Sequence, residues 1–286
     1  MDTGEGKPQY PPLLRTVLEN PQNPSLPDIS DIILTHRHYD HVRGLPSVLN
    51  LCRELWAERN HGAPFLPPRI HKFPLPPNQE DDVLKEVLSK LREGDYTPAP
   101  GGNQFHNLAD GQTLIPSVLP PGLDARDWTL QVSHCPGHTT DSVSLLFPAD
   151  RALFTGDTVL GQGTAVFEDL YDYLESLRKM LDARDKYDTL YPGHGPVVPD
   201  GPQTIRMYID HRLEREAQIL AVLQTSPPDG SWTTWAIVSK VYEGYPESLW
   251  EAAAKGVQLH LKKLEREGRV RSLGGEFKNE RWELVK

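Results

Sequence analysis

The residues of this chain best suited to chemistry are 36–41, which read His-Arg-His-Tyr-Asp-His. They place three imidazoles and one carboxylate directly after an apolar, strand-like segment, Ile32–Leu34. In a packed core each of these polar groups would need its own partner. At the carboxyl end of a strand they can instead converge in a cleft, the usual ligand position in α/β folds. The stretch therefore predicts a metal site.

This short stretch could bind two cations, but only together with additional ligands from elsewhere in the chain. His36 and His38 are two residues apart on an extended segment and can reach one cation, while Asp40 and His41 can reach another. A hydrolytic zinc takes about three protein ligands and leaves one position for water. Three later residues follow strand-like segments and can supply the rest: His138, Asp157 and His194. All of them can gather along one sheet edge.

The elements that must position these residues alternate between strands and helices. The apolar patterns predict strands at 113–118, 128–132, 142–147, 152–154 and 189–191, and helices at 13–19, 44–57, 81–93 and 170–181. The Pro-rich stretch 62–80 is predicted to be a loop. This alternation favours a layered α/β architecture.

After Gly201 the pattern changes. Helices are predicted at 205–224, 232–242 and 249–267, followed by two short strands at 269–273 and 281–284. Three helices and a two-stranded ribbon outline a winged helix. We therefore predict a catalytic domain over residues 1–202 and a winged-helix-like α+β domain over residues 203–286.

Composition narrows the possible environments and partners. The net charge is −10, with the acidic excess in residues 1–202, which disfavours nonspecific nucleic-acid binding. No apolar run approaches the roughly 20 residues of a membrane span, and the first residues do not resemble a signal peptide. Two cysteines, Cys52 and Cys135, do not make a disulfide scaffold. We expect a cytoplasmic protein with no membrane partner.

The set and order of these motifs resembles the metallo-β-lactamase superfamily of dinuclear hydrolases, and Asp2-Thr3-Gly4 resembles its first motif. The resemblance implies an α/β fold, the αββα sandwich, with two Zn²⁺ per chain. It also implies that Asp2 braces the metal-binding loop and that Asp40 doubles as catalytic proton acceptor and donor. The implied ligands are His36, His38 and His138 for one zinc, Asp40, His41 and His194 for the other, and Asp157 as a bridge. His and carboxylate ligands also admit other divalent metals.

Longer segments resemble one branch, that of β-lactamase-like protein 2 and the fungal lactamase-like thioesterases. These segments are residues 135–142, 155–173, 191–196, 211–212 and 259–268. Members of the family normally have about three strands before Asp-Thr-Gly. The resemblance therefore implies a sandwich lacking its first strands, with one exposed sheet edge and with Asp2 on a frayed terminus.

The remaining candidate groups have plainer interpretations. His134 lies four residues before His138, but its position does not match a ligand of the family. Cys135 is expected to be a small packed residue. Surface or satisfied core positions are expected for the other histidines: His61, His71, His106, His211 and His260.

Three functions remain open from the sequence. We place first a thioesterase that releases acyl or polyketide chains from an acyl carrier protein. The second is an endoribonuclease specific for single-stranded RNA, which the winged helix favours. The third is a truncated, inactive metal-binding homologue. The sequence leaves the oligomeric state open.

The C-terminal module bears on this choice. Its basic run comprises Lys255, Lys262, Lys263, Arg266, Arg269 and Arg271. Glu265 and Glu267 are interleaved with it, which predicts an ordinary salt-bridged helix face. We therefore expect the module to cover the active-site mouth or mediate contacts rather than read nucleic-acid sequence.

Overall fold

The elements of the chain follow the predicted alternation of strands and helices. The computed structural model describes residues 1–18, 25–119, 122, 124–227 and 230–285. Its helices are α1 (Tyr10–Leu18), α2 (Tyr39–Val42), α3 (Leu45–Arg59), α4 (Asp82–Ser89), α5 (Leu170–Asp182), α6 (Gly201–Leu223), α7 (Thr234–Val241) and α8 (Trp250–Arg266). Its strands are β1 (Asp31–Leu34), β2 (Arg69–Lys72), β3 (His106–Asn107), β4 (Thr113–Leu114), β5 (Leu130–His134), β6 (Val143–Phe147), β7 (Ala152–Gly156), β8 (Thr189–Pro192), β9 (Trp232–Thr233), β10 (Val270–Ser272) and β11 (Arg281–Leu284).

The strands before α6 form two sheets. The first has the order β1-β2-β3 and is parallel. The second has the order β4-β5-β6-β7-β8 and is antiparallel except for its last pair, β7 and β8. Parallel pairing lets β1 end on the same side of its sheet as β2, and β7 end beside β8, so the loops that follow β1, β7 and β8 can meet.

Three buried clusters show how these sheets and helices are layered. Ile32 and Leu34 of β1 pack against residues of α3 and α4, while Ile33 between them packs against Val132 and Val143 of the other sheet. Alternate side chains of a strand point to opposite faces, so β1 joins two layers of the core. A further cluster joins β7 and β8 to α5 and the start of α6. The arrangement is the predicted αββα sandwich.

One strand lies where the sequence predicted only a loop. Within the Pro-rich stretch 62–80, β2 pairs in parallel with β1, with Ile32 opposite Ile70. Its sequence, Arg-Ile-His-Lys, carries three polar residues and gives no apolar signal. Those polar side chains are paired in the fold: Nε2 of His71 lies 2.8 Å from Oδ1 of Asp31. The prediction was wrong because the partners come from distant parts of the chain.

Residues 2–4 are held in place rather than frayed. Asp2 N donates to the carbonyl of Ile33 at 2.8 Å, and Thr3 N donates to the carbonyl of His41 at 2.8 Å. Thr3 is fully buried, and its hydroxyl also donates to the His41 carbonyl. The expectation of a frayed Asp2 is therefore wrong, because these residues bridge β1 and the histidine-rich loop.

The C-terminal module has the predicted winged-helix architecture, with one more strand than expected. β9 joins β10 and β11 in an antiparallel sheet of order β10-β11-β9. Its core contains Trp232 and Trp282 packed with α7 and α8. No helix among the described residues is both long and apolar enough to span a membrane.

Helix α6 belongs to both parts of the molecule. Ile205 and Tyr208 near its start pack in the catalytic core, whereas Ile219 and Leu223 near its end pack in the winged-helix core. The proposed boundary between residues 202 and 203 falls in the first turn of this helix. This domain boundary stays a prediction, and dividing the chain there would interrupt a continuous helix.

Candidate metal centre

All seven sequence-predicted ligands lie together at the strand ends described above. Two follow β1, two lie on α2, one is in the loop after β5, one directly follows β7 and one follows β8. In that order they are His36 and His38, Asp40 and His41, His138, Asp157 and His194. The fold thus brings four separate parts of the chain to one place.

Three imidazoles form the first cluster. Nε2 of His36 lies 3.1 Å from Nδ1 of His38, and Nε2 of His138 lies 3.2 Å and 3.0 Å from those two atoms. A tetrahedral Zn²⁺ with bonds of 2.0–2.1 Å separates its ligand atoms by about 3.3 Å. The spacing of the three nitrogens therefore fits one such cation.

The second cluster contains Asp40, His41 and His194. Nε2 of His194 lies 3.1 Å from Oδ2 of Asp40 and 3.2 Å from Nε2 of His41. These three residues offer two nitrogens and one carboxylate oxygen within reach of one cation. His194 is half exposed, so this side of the centre opens to solvent.

Asp157 lies between the two clusters. Its Oδ1 is 3.4 Å from Nε2 of His41, and its Oδ2 is 3.4 Å from Nε2 of His194 and 3.8 Å from Nε2 of His138. Oδ1 is buried yet has no hydrogen-bond partner among the described residues. A buried acceptor without a partner is costly unless a cation or another group satisfies it. The residues present therefore fit a metal centre.

The opposite nitrogens of three rings have their own partners. Nδ1 of His36 is 3.0 Å from the Thr35 hydroxyl, Nδ1 of His41 is 3.0 Å from Oδ2 of Asp2, and Nδ1 of His138 is 2.8 Å from the carbonyl of Val166. Such contacts orient metal-binding histidines and set their tautomer. The sequence did not predict the role of Val166, because any residue type can provide a backbone carbonyl.

Asp2 makes the contacts expected of a bracing residue. Its Oδ1 accepts from the backbone of Thr35 at 2.8 Å, and its Oδ2 accepts from the Thr35 hydroxyl at 2.9 Å. The same Oδ2 faces His41. One carboxylate thus joins the end of β1 to α2.

Burial and neighbouring charges shift the pKa values of the histidines of the site in different directions. Burial lowers the pKa of His36 and of His138, which leaves both rings neutral and able to bind a cation. Burial also disfavours charge on His41, but the neighbouring carboxylates of Asp157 and Asp2 outweigh it and raise the His41 pKa to about 10. The same contact with His41 holds the pKa of Asp157 below its usual range despite burial. A cation bound at His41 would displace that proton.

A buried ionic network supports the two histidine-bearing loops. Arg37 pairs with Asp81 at 3.2 Å, with Asp141 at 3.3 Å and with Glu168. Asp141 is fully buried and is also bonded by Lys72 of β2. Arg37 separates His36 from His38, and Asp141 follows His138 by three residues. The network therefore fixes one loop against the other, and nothing in the linear sequence indicated these pairs.

Two glycines allow close approaches beside the site. Gly137 has φ +126°, and a Cβ there would lie 2.3 Å from the backbone of Tyr173. A Cβ on Gly193 would lie 2.3 Å from Oδ1 of Asp157. Any side chain at either position would displace His138 or Asp157.

The neighbouring candidates lie outside the centre, as the plainer interpretation predicted. The ring of His134 stacks on Phe73 with centroids 3.9 Å apart, and its Nε2 is 2.9 Å from the carbonyl of Thr140. Cys135 is fully buried, with Sγ 3.2 Å from the Ser144 hydroxyl. Burial raises the pKa of this thiol, which makes it a poor nucleophile.

The fold and the site define a class of protein, and comparison with known families gives the same class. Residues 2–194 match the family described as "Metallo-beta-lactamase superfamily", and residues 233–282 match the "Beta-lactamase associated winged helix domain". This chain belongs to the metallo-β-lactamase superfamily. Members of that superfamily usually bind metal.

Named relatives cover most of this chain. The Beta-lactamase-like protein 2 homolog of Drosophila melanogaster is 37% identical over 95% of this chain and 79% of its own length. The Atrochrysone carboxyl ACP thioesterase of Aspergillus fumigatus is 30% identical over 78% of this chain and 55% of its own length. A beta-lactamase domain protein from Burkholderia ambifaria superposes with a TM-score of 0.64 at 16% identity, covering 99% of this chain and 81% of that one. The last likeness concerns the fold alone.

Proposed function

We propose that this chain is a dinuclear zinc hydrolase that cleaves acyl thioesters. The observation that carries the proposal is the buried, unpartnered Oδ1 of Asp157 between two clusters of convergent ligand atoms. His36, His38 and His138 would hold one cation, and Asp40, His41 and His194 the other, with Asp157 between them. Bound zinc ions supply a water nucleophile near neutral pH and polarise the oxygen under attack.

Asp40 is the residue we assign to proton transfer. Its Oδ2 faces His194 at 3.1 Å, and about a quarter of its side chain is exposed, so it is accessible from the open side of the centre. In thioester hydrolysis a C–O bond forms and the C–S bond breaks. Asp40 would accept the proton of the attacking water and donate it to the departing thiolate, which leaves as the thiol.

The cavity beside the second cluster supports a thioester over RNA. Its volume is about 380 Å³, and its described lining includes Tyr10, Phe154 and Tyr191 next to Asp40 and His194. No lysine or arginine is among the described lining residues. Cationic side chains are the usual partners of phosphates, whereas apolar and aromatic walls suit an acyl group.

The basic run of the winged helix also supports this choice. Lys262 pairs with Glu280, Lys263 with Glu216, and Arg271 with Glu283. Arg266 pairs with Asp172, and Arg269 with Glu216. These carboxylates offset the charge of five of the six residues of the basic run, Lys255 being the sixth, so less of that charge is left to neutralise phosphates. A relative named for its action on an acyl carrier protein makes that carrier the partner we propose.

The test is zinc content combined with thiol release. Purified, zinc-loaded protein should contain close to two zinc ions per chain and release thiol from acyl thioesters, including acyl chains on an acyl carrier protein. H38A should lose most of this activity because it removes a ligand of the first cluster. The exposed His61 provides the control, and H61A should match the wild type.

A parallel incubation with unstructured RNA separates the alternatives. RNA cleavage that zinc restores and D40A abolishes, without thiol release, would replace the thioesterase by the endoribonuclease. Bound zinc with neither substrate consumed would favour a metal-binding homologue without catalytic activity. An absence of zinc from loaded protein would refute the hydrolase itself.

A further inference from the structure

Residues 161–168, here called the 161–168 loop, contact both clusters of the candidate metal centre. The N–H of Gly161 donates to the carbonyl of His194 at 2.9 Å. The carbonyl of Val166 accepts from Nδ1 of His138 at 2.8 Å. Glu168, the last residue of the loop, pairs with Arg37. The backbone of this loop therefore helps to orient ligands from both clusters.

Helix α6 holds the same loop from the opposite side. The Tyr208 hydroxyl donates to the carbonyl of Gly163 at 2.9 Å. Nη2 of Arg212 donates to the carbonyl of Ala165 at 3.0 Å, and its guanidinium lies 4.8 Å from the centroid of the Phe167 ring. Arg212 thus contacts the residues on both sides of Val166.

The Val166 side chain does not hold its own peptide in place. It is exposed, with a relative accessibility of 72%, whereas the neighbouring Ala165 is buried and Phe167 packs on Tyr173. A hydrogen bond from a charged donor and a cation–π contact are the stronger kinds of polar anchor. Both come here from one side chain, Arg212.

We propose that Arg212 is a positioning residue that holds the Val166 carbonyl against His138 and so links the winged-helix module to the metal centre. The inference rests on the proposed role of His138 as a metal ligand. Arg212 lies on the helix whose end carries Ile219 and Leu223 into the winged-helix core. A second link is Arg266 of α8, which pairs with Asp172 at 2.9 Å and lies 3.9 Å above the Tyr171 ring.

The experiment compares R212M and R212K with a matched control on the same helix. Arg206 is exposed on α6, whereas Arg212 is partly buried, so R206M controls for the loss of an arginine charge on the same helix. Zinc dissociation constants would be measured by competition with a chelator, and the Co²⁺ absorption spectrum would report ligand geometry. We expect R212M to weaken one of the two zinc sites about tenfold, the lower end of the effect of removing a partner of a metal-binding histidine.

R212K retains the charge but lacks the planar fork, so its affinity should fall between wild type and R212M. It also carries the test if R212M does not fold. A lower Tm of the metal-free variants with unchanged zinc affinities and Co²⁺ spectra would overturn the proposal in favour of a structural role. Wild-type protein that binds no zinc would refute the proposed function and this inference together, whereas equal binding by wild type and R212M refutes the inference alone.

Discussion

At the level of single residues, three of the five histidine rings of the centre use both of their nitrogen atoms. In His36, His41 and His138 the Nε2 atom faces the cluster, while Nδ1 meets a hydroxyl, a carboxylate or a carbonyl. The inner atom provides affinity, and the outer contact provides orientation. Residues that touch no cation are therefore expected to affect metal binding.

Asp2 offers the sharpest test of that expectation. D2N keeps the size of the side chain but removes the charge that faces Nδ1 of His41. We expect the zinc site formed by His41 to weaken by about 10–100-fold, the usual effect of losing an outer partner. Chelator competition measures it, with E5Q at the exposed neighbour as control. Equal affinity of D2N and wild type would contradict the bracing role.

His260 gives a prediction about pH. Burial and nearby cations, Arg212 among them, lower the pKa of His260 to about 3. Its unfolded value is about 6.5, so between pH 6.5 and 3 the unfolded chain binds the proton and the native protein does not. This group therefore makes stability fall as the pH drops below about 6.5, by up to about 1.4 kcal/mol per pH unit.

In metal-free H260Q, the Tm should fall less between pH 7 and pH 5 than in wild type. H61Q, at the exposed His61, should keep the wild-type slope. Thermal unfolding by circular dichroism measures both slopes. Parallel slopes for H260Q and wild type would show that His260 is protonated equally in the folded and unfolded states.

At the scale of elements, the site depends on short turns that directly follow strands. β7 ends one residue before Asp157, and β8 ends two residues before His194. Gly193 N donates to the carbonyl of Gly156 at 2.8 Å, so these two turns lie against each other. There is consequently no room for a side chain between them.

G193A tests this contact. The added methyl group would meet Oδ1 of Asp157 at 2.3 Å and Cε1 of His41 at 2.9 Å. We expect zinc affinity to fall at least tenfold and stability to fall by about 1–3 kcal/mol, as is usual when a packed site is overfilled. G244A is the control, because a Cβ on Gly244 meets nothing within 4 Å. Zinc affinity and urea unfolding of both variants measure the difference, and a G193A protein that matches G244A would refute the contact.

At the scale of the whole molecule, α6 contributes side chains to both cores, so the catalytic core cannot be completed without this helix. Ile205, Tyr208 and Ile209 fill the catalytic core, although they lie on the C-terminal side of residue 202. Burying each such side chain is worth about 1.5–3 kcal/mol. Their combined contribution is comparable to the whole stability of a typical domain.

A chain ending at residue 202 should therefore fail to fold, even though it keeps all seven candidate ligands. A chain ending at residue 225 keeps α6 and the catalytic core, but exposes Ile219 and Leu223. We expect it to fold with lower stability and to self-associate. Solubility, circular dichroism and sedimentation velocity distinguish the two products. A folded, zinc-binding 1–202 fragment would establish that boundary and contradict the shared role of α6.

Features of this protein that depend on neighbouring residues could be predicted from the chain alone. Spacing along the chain controls which side chains share a strand end. The sequence therefore predicted residues 36–41, the strand before them, and the turns that carry His138, Asp157 and His194. The layered α/β architecture and the winged helix followed from the same local periodicity, whereas the αββα sandwich followed from the family resemblance. The fold was needed to find β2, the pairing of Lys72 with Asp141, the backbone anchoring of residues 2 and 3, and the contact of Arg212 with the 161–168 loop. These depend on partners distant in sequence or on backbone carbonyls, and neither is encoded in local residue type.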